Sequence, residues 1–125
     1  MKKWIILLSI IAIALIAFFI AKPKLSENNF KKAMVYFDSS MYDKAIPFLN
    51  KAVMFSSKNE DALLKRAQAY YQLDNNEKAI IDFDKIISKN VKNDEALFGR
   101  ALIFIKNKEY DKAISDLDKA QTINS

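Results

Sequence analysis

The tetrapeptide DKAI occupies Asp43 to Ile46 and again Asp111 to Ile114, and EKAI stands midway at Glu77 to Ile80, so one pattern recurs every 34 residues. Sliding the sequence by that interval brings Ala33, Ala67 and Ala101 into register, followed by Tyr36, Tyr70 and Phe104. Leu49, Phe83 and Leu117 then align, as do Ala52, Ile86 and Ala120. Three units result: 26–59, 60–93 and 94–125. A repeat of this length is one supersecondary unit that cannot bury its apolar face alone, so stacked copies share one continuous core. With one Gly and two Pro in 125 residues, helices joined by short turns are expected and strands are not.

The residue types explain the register. Ala33, Ala67 and Ala101 are small enough to let a second helix approach closely, and the aromatic residue three positions on lies on the same helical face. In DKAI the Ala and Ile are packing positions. The Asp or Glu lies in the first turn of the second helix, where the helix dipole favours negative charge. Asn59 and Asn93 are expected N-caps, each followed by acids, and Asp74 to Asn76 should open the second helix of the middle unit. Unit one is less regular: Asn29 replaces the leucine found at Leu63 and Leu97, so its first helix is expected to be anchored less firmly, and Pro47 falls inside a helix that it should bend. Gly99 is read as a close-packing position.

A 34-residue period with small and aromatic residues at these offsets resembles the tetratricopeptide repeat family, over about four fifths of the chain. The resemblance implies an α-solenoid whose first helices line a concave groove. On that face the sequence places Phe30, Met34 and Phe37 in unit one, Leu64, Gln68 and Tyr71 in unit two, and Phe98, Leu102 and Ile105 in unit three. Eight of these nine are apolar or aromatic, so an apolar or amphipathic helix or peptide is the expected guest. Some members of the family clamp the acidic tails of heat-shock chaperones with Lys, Asn and Arg. The corresponding positions here are Phe30, Met34, Lys65, Glu95 and Gly99, and the clamp is missing.

Ahead of the repeats, Trp4 to Ala21 form an 18-residue run with Ser9 as its one polar member. As a helix it would reach about 27 Å, close to the hydrocarbon thickness of a bilayer. A cleaved signal peptide is the competing reading, but Phe19 is bulky where cleavage after Ala21 needs a small residue. Residues 1–21 are therefore expected to be an uncleaved signal-anchor, and 22–25 a short linker in which Pro23 breaks the helix before the repeat domain at 26–125. Lysines flank the run on both sides, so the positive-inside rule is nearly balanced. The MKK start resembles a bacterial inner-membrane signal-anchor and favours placing the repeats outside the cytoplasm.

The charge of +5 carries no nucleic-acid signal. Lys2, Lys3, Lys22 and Lys24 supply four of the 20 basic residues, which leaves 16 against 15 acids from Leu25 onward. The absence of Cys and His removes thiol nucleophiles, imidazole bases and the usual zinc ligands, and no catalytic site, cofactor or metal is expected. The overall expectation is all-α: a transmembrane helix followed by three repeats, acting as a non-catalytic adaptor at the bilayer surface. A permanent structural subunit or assembly factor of a membrane complex is the alternative. Ser115 and Gln121 make the last unit more polar, while Ile114 and Ile123 leave a surface for self-association.

Overall fold

A computed structural model describes all residues, Met1 to Ser125. It contains six helices and no strand: α1 (Lys2–Asp38), α2 (Tyr42–Phe55), α3 (Glu60–Gln72), α4 (Asn76–Lys89), α5 (Asp94–Lys106) and α6 (Tyr110–Asn124). Each helix packs on its neighbours in sequence. In addition α1 touches α3 and α3 touches α5, whereas α2, α4 and α6 do not touch one another. The layer of first helices is therefore the tighter one, and the stack curves towards it.

The small residues of the repeat register sit where helices cross. Ala33, Ala45, Ala67, Ala79 and Ala101 have no exposed surface, and Ala113 has almost none. Around Ala33, Ala45, Leu49 and Ala69 pack Phe30, Tyr36, Phe37, Ile46 and Phe48. A larger cluster joins Leu63, Leu64, Ala67, Ala79, Phe83, Ile86, Ala96 and Ile103. Gly99 faces the ring of Phe83, and a Cβ there would lie 2.4 Å from Cζ of that ring, which is nearly fully buried. Close packing is thus the reason for the glycine.

The helix starts follow the asparagines. Asn59 Oδ1 accepts from the Ala62 N–H at 3.0 Å, Asn93 Oδ1 from Ala96 at 2.8 Å, and Asn75 Oδ1 from Lys78 at 3.4 Å. The turns inside each repeat carry a second periodicity that no glycine announces. Ser40, Asp74 and Lys108, again 34 apart, adopt φ of 57°, 63° and 63°. The residue after each donates its N–H to the carbonyl five positions back, at 2.8 Å in all three turns: Met41 to Tyr36, Asn75 to Tyr70 and Glu109 to Phe104. This is the Schellman closure, which requires a left-handed residue just past the helix.

Two expectations for unit one need correction. Residues 22–25 are helical, and α1 runs unbroken through Pro23. Proline deletes one hydrogen bond, from its own missing N–H to the Phe19 carbonyl, and the helical bonds on either side hold the turn together. Nor is unit one left loose by Asn29, whose amide donates to the Leu25 carbonyl at 2.8 Å. Buried Ser26 secures this stretch instead: its hydroxyl donates to the Ala52 carbonyl at 2.8 Å and accepts from Asn59 Nδ2 at 3.0 Å. Every residue from Met1 to Ala21 is exposed, and this stretch of α1 is long and apolar enough to cross a membrane, whereas the repeat half of the helix packs on the core.

Candidate protein-binding groove

The concave face is made by α1, α3 and α5. Contacts between those helices mark it: Lys65 Nζ on α3 stands 5.0 Å from the centroid of Phe37 on α1, and Lys106 Nζ on α5 stands 5.9 Å from Tyr71 on α3. Lys106 also pairs with the exposed carboxylate of Asp74, and that hydrogen bond raises the ammonium's pKa above its ordinary value. The face therefore carries aromatic rings edged by lysines, a mixture that a count of apolar residues along one stripe does not register.

The nine residues of the expected stripe fall into three groups. Phe98 and Ile105 are exposed, at 53% and 43%. Phe30, Met34, Phe37, Gln68, Tyr71 and Leu102 are half-buried, and of these Phe30, Phe37 and Tyr71 also pack on the core. Leu64 lies in the core at 7% exposure. Its helix, α3, has a first helix on each side, whereas α5 has one only on the α3 side. The same register position is thus closed in the middle repeat and open in the last. Of the two residues on the outer face of the last repeat, Ile114 is exposed and Ile123 is half-buried.

The helices are tied together by a feature that periodic apolar residues do not reveal. Asp82 and Asp116 are buried at 2% exposure. Arg66 grips Asp82 in a two-pronged fork, Nε to Oδ2 at 2.7 Å and Nη2 to Oδ1 at 2.8 Å, and Arg100 grips Asp116 with the same atoms at 2.7 and 2.8 Å. The remaining nitrogen of each guanidinium reaches back to the preceding second helix, Arg66 Nη1 to Asn50 Oδ1 at 3.0 Å and Arg100 Nη1 to Asp84 Oδ1 at 2.8 Å. Each arginine thereby ties three helices. The carboxylate hydrogen bonds push both guanidinium pKa values above their ordinary range. A signal was present: Arg66 and Arg100 are the only arginines in the chain, and they stand one repeat apart.

Family models described as tetratricopeptide repeat match residues 26–59 and 64–125, together well over half of the chain. The chain belongs to the tetratricopeptide repeat family. No protein of curated function matches it. Among solved structures, a crystal structure of MamA is similar with a TM-score of 0.75 at 22% identity, over 79% of this chain and 58% of that one. The TPR2AB domain of yeast Sti1 in its pHSP90 complex is similar with a TM-score of 0.78 at 26% identity, over 86% of this chain and 43% of that one. The second TPR of Spaghetti (RPAP3), bound to the HSP90 peptide SRMEEVD, reaches a TM-score of 0.79 at 17% identity, over 88% and 95%. The chain thus spans little more than half the length of MamA and less than half of the Sti1 structure, and the likeness to MamA and Spaghetti is one of fold.

The first helices of this structure carry no basic cluster at the positions named above. Phe30 and Met34 are half-buried, Glu95 is exposed, and Gly99 is filled by Phe83. Lys65 is the one cation among them, and it stands over an aromatic ring.

Proposed function

We propose that this protein is a non-catalytic adaptor, anchored in a membrane through Trp4 to Ala21, that holds an apolar or amphipathic helix of a partner protein on its concave face. One observation carries the reading. Phe98 and Ile105 expose large apolar surface on α5 beside half-buried Leu102, and Tyr71 continues that surface onto α3. Large apolar side chains kept in water on a rigid, concave, repeated face are the usual mark of a docking site. The similar Sti1 and Spaghetti domains take HSP90 peptides, which supports peptide capture as the class of activity. The guest proposed here differs in chemistry, with an apolar side against Phe98, Ile105 and Tyr71 and an acidic residue towards Lys65.

The anchor adds geometry. Because α1 passes from the apolar run into the first repeat without a break, the domain is held at a set angle to the bilayer and its repeats stack along the membrane surface. A photo-crosslinking side chain at Phe98, in intact membranes, should capture one protein partner, and Phe98→Glu should abolish binding while leaving the helical circular dichroism unchanged. Capture of lipid alone, or of nothing, would overturn the adaptor reading. Leu64, being core, is unsuitable for this test.

A further inference from the structure

We propose that the turn between α2 and α3 is a second lipid contact, with Met54, Phe55 and Lys58 seated in the headgroup and upper acyl region of the bilayer. The proposal rests on the reading of Trp4 to Ala21 as a membrane span. Helix α2 runs antiparallel to α1 and returns to it, so that the Phe55 ring meets the Phe18 ring edge-on, centroids 6.5 Å apart and planes at 70°. Phe18 is three residues inside the end of the apolar run, about 5 Å along the helix from that end. A ring packed on Phe18 shares its depth.

The neighbouring side chains suit that depth. Met54 is 67% exposed. Phe19, Pro23, Met54, Phe55 and Lys58 line one open cavity of about 360 Å³. Lys22 Nζ stands 5.5 Å from the Phe18 centroid and 5.7 Å from that of Phe19, the arrangement of a lysine whose stem follows an apolar surface to the boundary with water. Lys89 joins the same turn, donating to the Ser57 carbonyl at 3.3 Å. Val91 and Lys92, both exposed, form the corresponding turn one repeat later. Glu60 and Asp61 open α3 after the first of these turns, and Asp94 and Glu95 open α5 after the second, so they offset much of the lysine charge and the apolar tips carry the contact. Glu60 accepts hydrogen bonds from Asn90 and Asn93, and Asp61 is one residue further into α3. Apolar tips with lysine stems beside them suit the boundary between acyl chains and headgroups.

The test uses the full chain with its one tryptophan removed by Trp4→Phe and a single indole introduced by Met54→Trp. The chain is reconstituted into equimolar phosphatidylcholine and phosphatidylglycerol vesicles containing lipid brominated near the headgroup. Phe18→Trp in the same background reports the anchor, and Tyr110→Trp reports the opposite end of the repeats, with circular dichroism confirming the fold of each. The proposal expects quenching and a blue shift for the indoles at positions 18 and 54, and neither at position 110. Quenching at 18 without quenching at 54 overturns the proposal, leaves the span intact and assigns the turn to water or protein. Quenching at neither position overturns the proposal and the span together.

Discussion

In repeats two and three the corner between first and second helix is filled by a guanidinium gripping a buried carboxylate, whereas in repeat one the same corner holds a ring stack. At the positions of Arg66 and Arg100 repeat one has exposed Lys32, and at those of Asp82 and Asp116 it has Phe48. Phe48 lies parallel to Tyr36, with centroids 5.7 Å apart and planes at 11°. The difference follows from what surrounds the corner. Burying a carboxylate is worthwhile only with good geometry and further hydrogen bonds, and each arginine adds one by reaching the preceding second helix. Repeat one follows the apolar half of α1 and has no such helix before it. A stack of two rings fills the corner there without burying a charge.

This contrast can be broken by experiment. Arg100→Met leaves Asp116 buried without a counter-charge and should cost about 3–5 kcal/mol, read as lost denaturant resistance by circular dichroism. Lys32→Met, at the same register position, should stay within about 0.5 kcal/mol. Equal effects from the two would mean that the pins are decorative. Gly99→Ala drives a methyl into the buried Phe83 ring and should cost about 2 kcal/mol. Adding Phe83→Leu, which gives repeat two the leucine that repeat one has at Leu49, should make the double variant less damaged than the two single losses added together.

A smaller test transplants the pin. Phe48→Asp should cost about 1–2 kcal/mol by placing a carboxylate beside Tyr36, and adding Lys32→Arg should recover most of that loss if the fork can form in repeat one. No recovery would show that the preceding helix is indispensable. The smallest effects concern a feature the three repeats share. Ser40→Gly and Lys108→Gly relieve a left-handed residue in their turns and should each raise stability by about 0.5–1 kcal/mol. Asp74→Gly should gain less, since it also removes the partner of Lys106.

Much of this architecture was legible in one dimension. The 34-residue interval, the alanines at the crossings and the asparagine caps lie in single positions whose chemistry is local, so they translate directly into helices and boundaries. The groove was legible as a stripe but not residue by residue. Leu64 and Phe98 share a register position, yet one is core and the other faces water, because burial depends on how many helices flank the position. The Schellman turns at Ser40, Asp74 and Lys108 escaped notice because the usual glycine is absent and the surrounding hydrogen bonds impose the conformation. Pro23 misled for a related reason: a proline weakens a helix by one bond, and whether the helix survives is decided by its neighbours.

By itself, then, the sequence determined that this is an all-α repeat protein with a membrane-length apolar helix in front, since periodicity and composition act through local geometry and burial. Only the tertiary structure decided which corner residues carry charge, which stripe residues remain open to a partner, and that the end of α2 returns to the level of Phe18. Those outcomes depend on contacts between residues 16 to 37 positions apart, where a side chain's environment is made by helices other than its own.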